Sequence, residues 1–183
     1  MSSSVLPSEP LLIVPGLNDS GPGHWQTWLE QRAPKSRRVR QEDWATPRLP
    51  VWADAVRHGL RSLDAPAWIV AHSFGCLAFV AAARALPQKI KGAVLVAPAN
   101  PERFQIPSGA LHGALPFPVR VIASANDQWM PLESARHWAC EWGGEFSNVG
   151  AQGHINTESG HGAWPEVLTF IGEQKTGDQK TED

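Results

Sequence analysis

Apolar residues are arranged along this chain in two alternating ways. Short, nearly continuous runs occur at Leu11–Val14 (LLIV), Ala67–Ala71 (AWIVA), Gly92–Val96 (GAVLV) and Val119–Ala123 (VRVIA), with a weaker one at Glu145–Val149 (EFSNV). Each reads as a strand, and their lack of apolar–polar alternation predicts burial on both faces. Val39 and its neighbours predict one more short strand. Between these runs lie longer segments with helical spacing: His24–Arg32, Val51–Leu63, Phe74–Leu86, Leu132–Trp142 and Trp164–Glu173. The Ala-rich third helix is stopped by Pro87. Strands alternating with helices of this length predict a mainly parallel sheet of about six strands with helices on both faces. In such sheets ligands bind beyond the carboxyl ends of the strands, so the residues just after each strand are where chemistry is to be sought.

Composition narrows the class without changing that picture. The chain has 183 residues, 42% of them hydrophobic and 19% charged, and a net charge of −2. This fits one soluble domain and gives no broad field for nucleic acid or an anionic membrane. The one basic run, KSRRVR at 35–40, is followed by Glu42 and Asp43 and reads as a solvated loop leading into a strand. Two cysteines, Cys76 and Cys140, do not make a disulfide framework, and Cys76 falls inside the predicted third helix as a small core residue. The N-terminus MSSSVLPSEP lacks a basic and an apolar segment, and no apolar stretch approaches the ~20 residues of a membrane span. The expectation is a cytoplasmic protein with a flexible N-terminus at 1–10, one domain at 11–173 and a disordered polar tail at 174–183.

Nine Trp and no Tyr are present. Trp138, Trp142 and Trp164 fall in helical patterns and read as packing residues. Trp25, Trp44 and Trp129 lie near loop ends, where they are expected to line a pocket together with His24.

The strand AWIVA runs through His72-Ser73-Phe74-Gly75 straight into a helix. Such a strand-to-helix turn presents its serine as a nucleophile, because the turn is tight and strained and the helix's positive end favours developing negative charge. Residues two before and two after the serine must be small, and Ala71 and Gly75 occupy those places. The plainer reading of Ser73 is a helix cap. His72, adjacent in sequence, is expected to point the other way around the turn. A serine hydroxyl needs a base, and the base needs a carboxylate that fixes its tautomer. With the chain order Ser, acid, His, Asp127 is the aspartate that directly follows a strand. Two histidines compete for the base in GAQGHINTESGHGAWPEV at 150–167. His154 arrives just past the last strand. His161 comes seven residues later, where packing or capping near the last helix is its plainer role and a positive imidazole is disfavoured. The oxyanion requires backbone N–H donors. Phe74, after the serine, supplies one, and Leu17, after the Pro15-Gly16 turn in PGLNDSGPGHW, the other. That loop matches neither the dinucleotide nor the Walker phosphate pattern.

With VPGLNDSGPGHWQTW, the DW..P run at Asp43–Pro47, AHSFGCLA, SANDQWMP and GHINTESGHGAWPE in place, residues 11–171 resemble the serine hydrolases of the retinoblastoma-binding protein nine and YdeN type, within the α/β-hydrolase fold. The resemblance implies a triad carried by Ser73, Asp127 and His154, with the family's glycine-histidine-x-asparagine pattern on Gly153, His154 and Asn156. It also implies a compact sheet without a large cap domain, in keeping with only about 20 residues between GAVLV and VRVIA. Ala71 departs from the Gly-x-Ser-x-Gly form. The combined expectation is a compact α/β-hydrolase that cleaves a small-molecule carboxylic ester or amide and needs neither metal nor organic cofactor. The alternatives are a non-catalytic binding module on the same scaffold and a flavodoxin-like nucleotide binder, which lacks a phosphate signature.

Overall fold

A computed structural model describes residues 9–177. Six strands form one sheet: β1 (Leu11–Val14), β2 (Ser36–Arg38), β3 (Ala67–His72), β4 (Ile90–Val96), β5 (Val119–Ala123) and β6 (Glu145–Asn148). Their order across the sheet is β2-β1-β3-β4-β5-β6, and every neighbouring pair is parallel. Four helices lie between them, α1 (Trp25–Arg32), α2 (Leu49–Arg61), α3 (Phe74–Ala83) and α4 (Leu132–Glu141), and α5 (Glu166–Gly177) follows β6. The expected compact α/β architecture is what the chain adopts.

Each central strand feeds two cores. Leu12, Val14, Ile69, Ala71, Ala93, Leu95, Val121 and Ala123 point to one side, where they meet Trp52, Val56 and Leu60 of α2, much of α3, and Ala135 and Trp138 of α4. Leu11, Trp68, Val70, Val94, Val96 and Ile122 point to the other, against Trp25 and Leu29 of α1 and Val167, Leu168 and Ile171 of α5. The period-two alternation of side chains therefore serves two apolar layers, which is why these strands are apolar at nearly every position, Lys91 and Arg120 being the charged exceptions near the strand starts. Burying one such Leu, Ile or Phe contributes about 1.5–3 kcal/mol. The segment between β4 and β5 carries only short 3-10 turns at Pro101–Phe104 and Ser108–Ala110.

Several boundaries differ from the sequence reading, each for a local reason. The basic run is not a solvated loop: Ser36–Arg38 is edge strand β2 itself. The Arg38 side chain is only 7% exposed, between Asp19 at 2.8 Å and Glu30 at 2.7 Å. Val39 follows the strand, is buried, and donates its N–H to Ile13 O at 2.9 Å. Helix α2 starts at Leu49 because Pro50, lacking an N–H, suits a first turn. Helix α5 starts only after Pro165 and continues to Gly177, into the stretch expected to be a disordered tail. Residues 178–183 lie outside the described residues, as do 1–8. Glu9 and Pro10, placed by sequence in a flexible N-terminus, are tied to β3: Trp68 donates its indole N–H to Glu9 at 2.6 Å and its backbone N–H to Pro10 O at 3.0 Å.

Candidate active site

Strand β3 ends at His72 and α3 begins at Phe74, so Ser73 alone makes the turn. It does so at φ 53°, ψ −126°, a conformation an L-residue adopts only under tertiary constraint. The crowding that imposes it is visible at two glycines. A Cβ on Gly75 would run into Val14 O at 2.6 Å, and one on Gly16 would lie 2.8 Å from the Ser73 Cβ. Ala71 tolerates its methyl because it points into the buried layer beneath α3. Ser73 precedes the helix but makes no side-chain cap hydrogen bond. Its hydroxyl instead lies 2.9 Å from His154 Nε2.

The partners arrive from the ends of β5 and β6. Asp127 accepts His154 Nδ1–H on Oδ2 at 2.8 Å and the Trp129 N–H on Oδ1 at 2.8 Å, which fixes the carboxylate plane. Its side chain is 2% exposed and that of His154 10%. With Nδ1 committed as donor to a carboxylate, Nε2 carries the lone pair and faces the serine hydroxyl. Serine, imidazole and carboxylate thus form one hydrogen-bonded chain. His161 is not part of it: its Nδ1 lies 3.2 Å from Ser159 Oγ, its ring stands edge-on to Trp164 at 5.8 Å, and its carbonyl accepts the Trp25 N–H that opens α1. Burial lowers the His161 pKa from the ordinary histidine value.

Phe74 opens α3, so its N–H is one of the four that have no acceptor within a helix. Leu17 follows the glycine pressed against Ser73 and lines the same cavity as the serine. This cavity has a volume of about 340 Å³ and reaches His24, His72, Phe104, Trp129, Asn156 and Glu158. Of the four residues expected to line it, His24 and Trp129 do. Trp25 does not: it is wholly buried, edge-on to Trp164 at 5.3 Å, and donates its indole N–H to Ile155 O at 2.8 Å. Trp44 does not either, because it packs edge-on against Trp52, which in turn stands edge-on to Phe74. A larger depression of about 550 Å³ beside β2 and α2 shares no residue with the serine's cavity. Among the described residues no group of three His, Cys, Asp or Glu side chains is arranged to hold a metal.

The family model described as "Serine hydrolase" matches residues 11–173. The chain belongs to that serine hydrolase family. Among solved structures it is similar to a putative YdeN-like hydrolase from Pectobacterium atrosepticum, at 38% identity over 90% of this chain and 89% of that one, with TM-score 0.85. It is also similar to the ydeN gene product of B. subtilis, at 22% identity over 92% and 100% of the two chains, with TM-score 0.78. Est1E from Butyrivibrio proteoclasticus shares the fold at 16% identity over 93% and 90% of the chains, with TM-score 0.68. A comparison with curated proteins gave no match.

In this hydrolase, polar residues beside Asp127 hold the histidine loop in place. Asn126 Oδ1 accepts the Gly153 N–H at 2.7 Å and the Ser124 hydroxyl at 2.9 Å, while Ser124 Oγ accepts the Gln152 N–H at 2.9 Å. Gly153 sits at φ 58°, and a Cβ there would lie 2.7 Å from the Ser159 Cβ. Gln26, fully buried, donates to Val14 O at 3.3 Å and Val70 O at 3.0 Å and accepts from Ser20 Oγ at 2.6 Å. It joins the ends of β1 and β3 to the loop that carries Leu17. The sequence reading missed these residues. Their signals are membership of the SANDQWMP and VPGLNDSGPGHWQTW stretches and a polar side chain on the apolar face of α1 or just after β5. His72 points toward the histidine loop, with Nε2 3.0 Å from the His154 carbonyl. Burial holds its pKa well below the usual histidine value, reinforced by the His154 charge.

Proposed function

We propose that the chain hydrolyses a small-molecule carboxylic ester, or an amide, through an acyl-enzyme at Ser73. The observation that carries this reading is the Ser73–His154–Asp127 hydrogen-bonded chain built on a serine held at positive φ. Ser73 Oγ attacks the acyl carbon while its proton passes to His154 Nε2. Asp127 holds the ring's other N–H and stabilises the imidazolium, and the Leu17 and Phe74 N–H groups receive the carbonyl oxygen as it becomes negative. The proton then goes from Nε2 to the departing alkoxide or amine. Water repeats the sequence on the acyl-enzyme, giving up its proton to His154 and releasing the acid as Ser73 regains its own. No step calls on a metal or an organic cofactor. On this reading the partner is a small molecule rather than nucleic acid or membrane, and we place the protein in the cytoplasm. Among the described residues no helix is long and apolar enough to cross a membrane.

The test is labelling by a fluorophosphonate probe together with p-nitrophenyl acetate turnover, in the wild type and Ser73→Ala. Labelling and turnover by the wild type, both lost in a folded Ser73→Ala protein, are expected. A wild type that is inert to the probe and the ester would leave a binding module in place of an enzyme, and labelling that survived the substitution would mean a different nucleophile.

A further inference from the structure

Two histidines outside the hydrogen-bonded chain line the serine's cavity, and each has one ring nitrogen committed and one free. His24 caps α1: its Nδ1 accepts the Gln26 N–H at 3.1 Å. Nδ1 therefore carries the lone pair, and in the neutral ring Nε2 carries the hydrogen. His72 is the reverse. Its Nε2 lies 3.0 Å from the His154 carbonyl, which only accepts, so Nε2 bears the hydrogen and Nδ1 the lone pair. The rings stand edge-on with centroids 4.9 Å apart, and each residue is only 5% exposed. Neither free nitrogen has a hydrogen-bond partner among the described residues, yet neither is sealed off, and the cavity is where both rings are open.

We propose that His24 Nε2–H and His72 Nδ1 form a donor–acceptor pair that seats a neutral hydroxyl of the substrate close to the scissile carbonyl. This names the substrate class of the site proposed above and rests on that reading. A hydroxyl accepts from His24 and donates to His72 with the same oxygen. A carboxylate satisfies His24 but meets the His72 lone pair, and the cavity already holds Asp19 and Glu158 with no Lys or Arg in its lining. An ammonium satisfies His72 but faces the His24 N–H. A methyl leaves both nitrogens desolvated and unpaired, a cost a binding site does not recover elsewhere. Burial and the charge of Arg38 lower the His24 pKa to about 4, and burial lowers that of His72, so the pair stays neutral at physiological pH.

The experiment compares isosteric esters in which a hydroxyl replaces a methyl. One pair varies the alcohol, hydroxyethyl butyrate against propyl butyrate. The other varies the acyl group, methyl β-hydroxybutyrate against methyl isovalerate. The readout is the ratio of kcat/KM within each pair, so that a general loss of rate cancels. The wild type is expected to prefer the hydroxyl member of at least one pair by about tenfold or more. His24→Asn keeps the α1 cap, because its side-chain oxygen also accepts the Gln26 N–H, but is too short to present a donor at Nε2. Its ratio should fall to within about twofold of unity. Equal rates for both members of both pairs in the wild type, or an undiminished ratio in His24→Asn, overturns the proposal. Fluorophosphonate labelling of the same wild-type preparation separates the two readings. A labelled enzyme without preference sinks only the hydroxyl seat, whereas an unlabelled chain that cleaves no ester sinks the catalytic reading and this one with it.

Discussion

The Gly153 N–H donates to Asn126 Oδ1 at 2.7 Å, so the backbone just before His154 is pinned to the residue just before Asp127. Asp127 and His154 are held relative to one another by a neutral contact beside them as well as by their own hydrogen bond.

This separates two substitutions at neighbouring positions. Asp127→Asn presents an amide to His154 Nδ1 and favours the wrong tautomer, so kcat should drop by about 10⁴-fold with little change in KM. Asn126→Ala leaves the carboxylate in place but frees the Gly153 N–H and the Ser124 hydroxyl. Because Asn126 is exposed, it should lower kcat by roughly tenfold and stability by only about 0.5–1.5 kcal/mol. Steady-state kinetics and denaturant titration of the two variants decide the matter. Equal kinetic penalties would remove the distinction.

The two histidines of the last loop should behave differently. His154→Ala should abolish fluorophosphonate acylation, while His161→Ala should retain it and lose only a few degrees in Tm through its Ser159 and Trp164 contacts. A dead His161 variant beside an active His154 variant would reverse the assignment.

Strain at Ser73 should be measurable as stability. A non-glycine residue at φ 53°, ψ −126° costs on the order of 1–3 kcal/mol, and Ser73→Ala keeps that cost because alanine keeps a Cβ. Ser73→Gly removes it, offset by about 0.5–1 kcal/mol of added backbone entropy in the unfolded chain. Both variants should be inactive, with the glycine variant melting roughly 2–4 °C above the alanine variant. A glycine variant that melts below the alanine variant would show that the turn is unstrained.

Stability should fall on mild acidification. His24 has its folded pKa lowered from 6.5 to about 4, and that of His72 is lowered as well. Above pH 6.5 both states are neutral at these positions and stability is at its full value. Below it the unfolded chain binds protons that the folded chain refuses, so stability drops until the folded pKa is reached. For His24 the span corresponds to about 3 kcal/mol, or roughly 6–12 °C in Tm, between pH 6.5 and pH 4. Calorimetry across that range checks it, and His24→Asn should flatten the slope. A wild-type Tm independent of pH there would mean that these rings are solvated.

What was legible in the chain follows from where the information resides. Strands β1, β3, β4 and β5 stand out because burial on both faces leaves almost no polar position to interrupt them. Edge strand β2 was found only through Val39, one residue past its end, because Ser36 and Arg37 face solvent at least in part and Arg38 is buried by ion pairing. Ser73, Asp127 and His154, which the structure brings into one hydrogen-bonded chain, could be picked out because each lies in the turn or loop beyond the carboxyl end of a strand. The pocket aromatics were legible only in part, Trp129 but neither Trp25 nor Trp44. Whether a Trp near a loop faces a cavity or a carbonyl 130 residues away, as Trp25 does, is set by packing that no local pattern encodes. The same holds for Gln26 and Asn126, whose partners come from other elements.

The all-parallel order of the sheet has a consequence for how activity is acquired. Ser73 and His154 are 81 residues apart in the chain, and Asp127 and His154 are 27 apart. Parallel neighbours cannot be joined by hairpins, so each of these separations is closed only by a complete crossover, at the slow end of folding kinetics. No fragment that ends before β6 contains all three groups, and no early local structure brings any two of them together. Reactivity toward an acylating probe therefore reports the assembled sheet rather than helix formation. In refolding from denaturant it should return with the slowest structural phase, well after far-UV ellipticity has recovered.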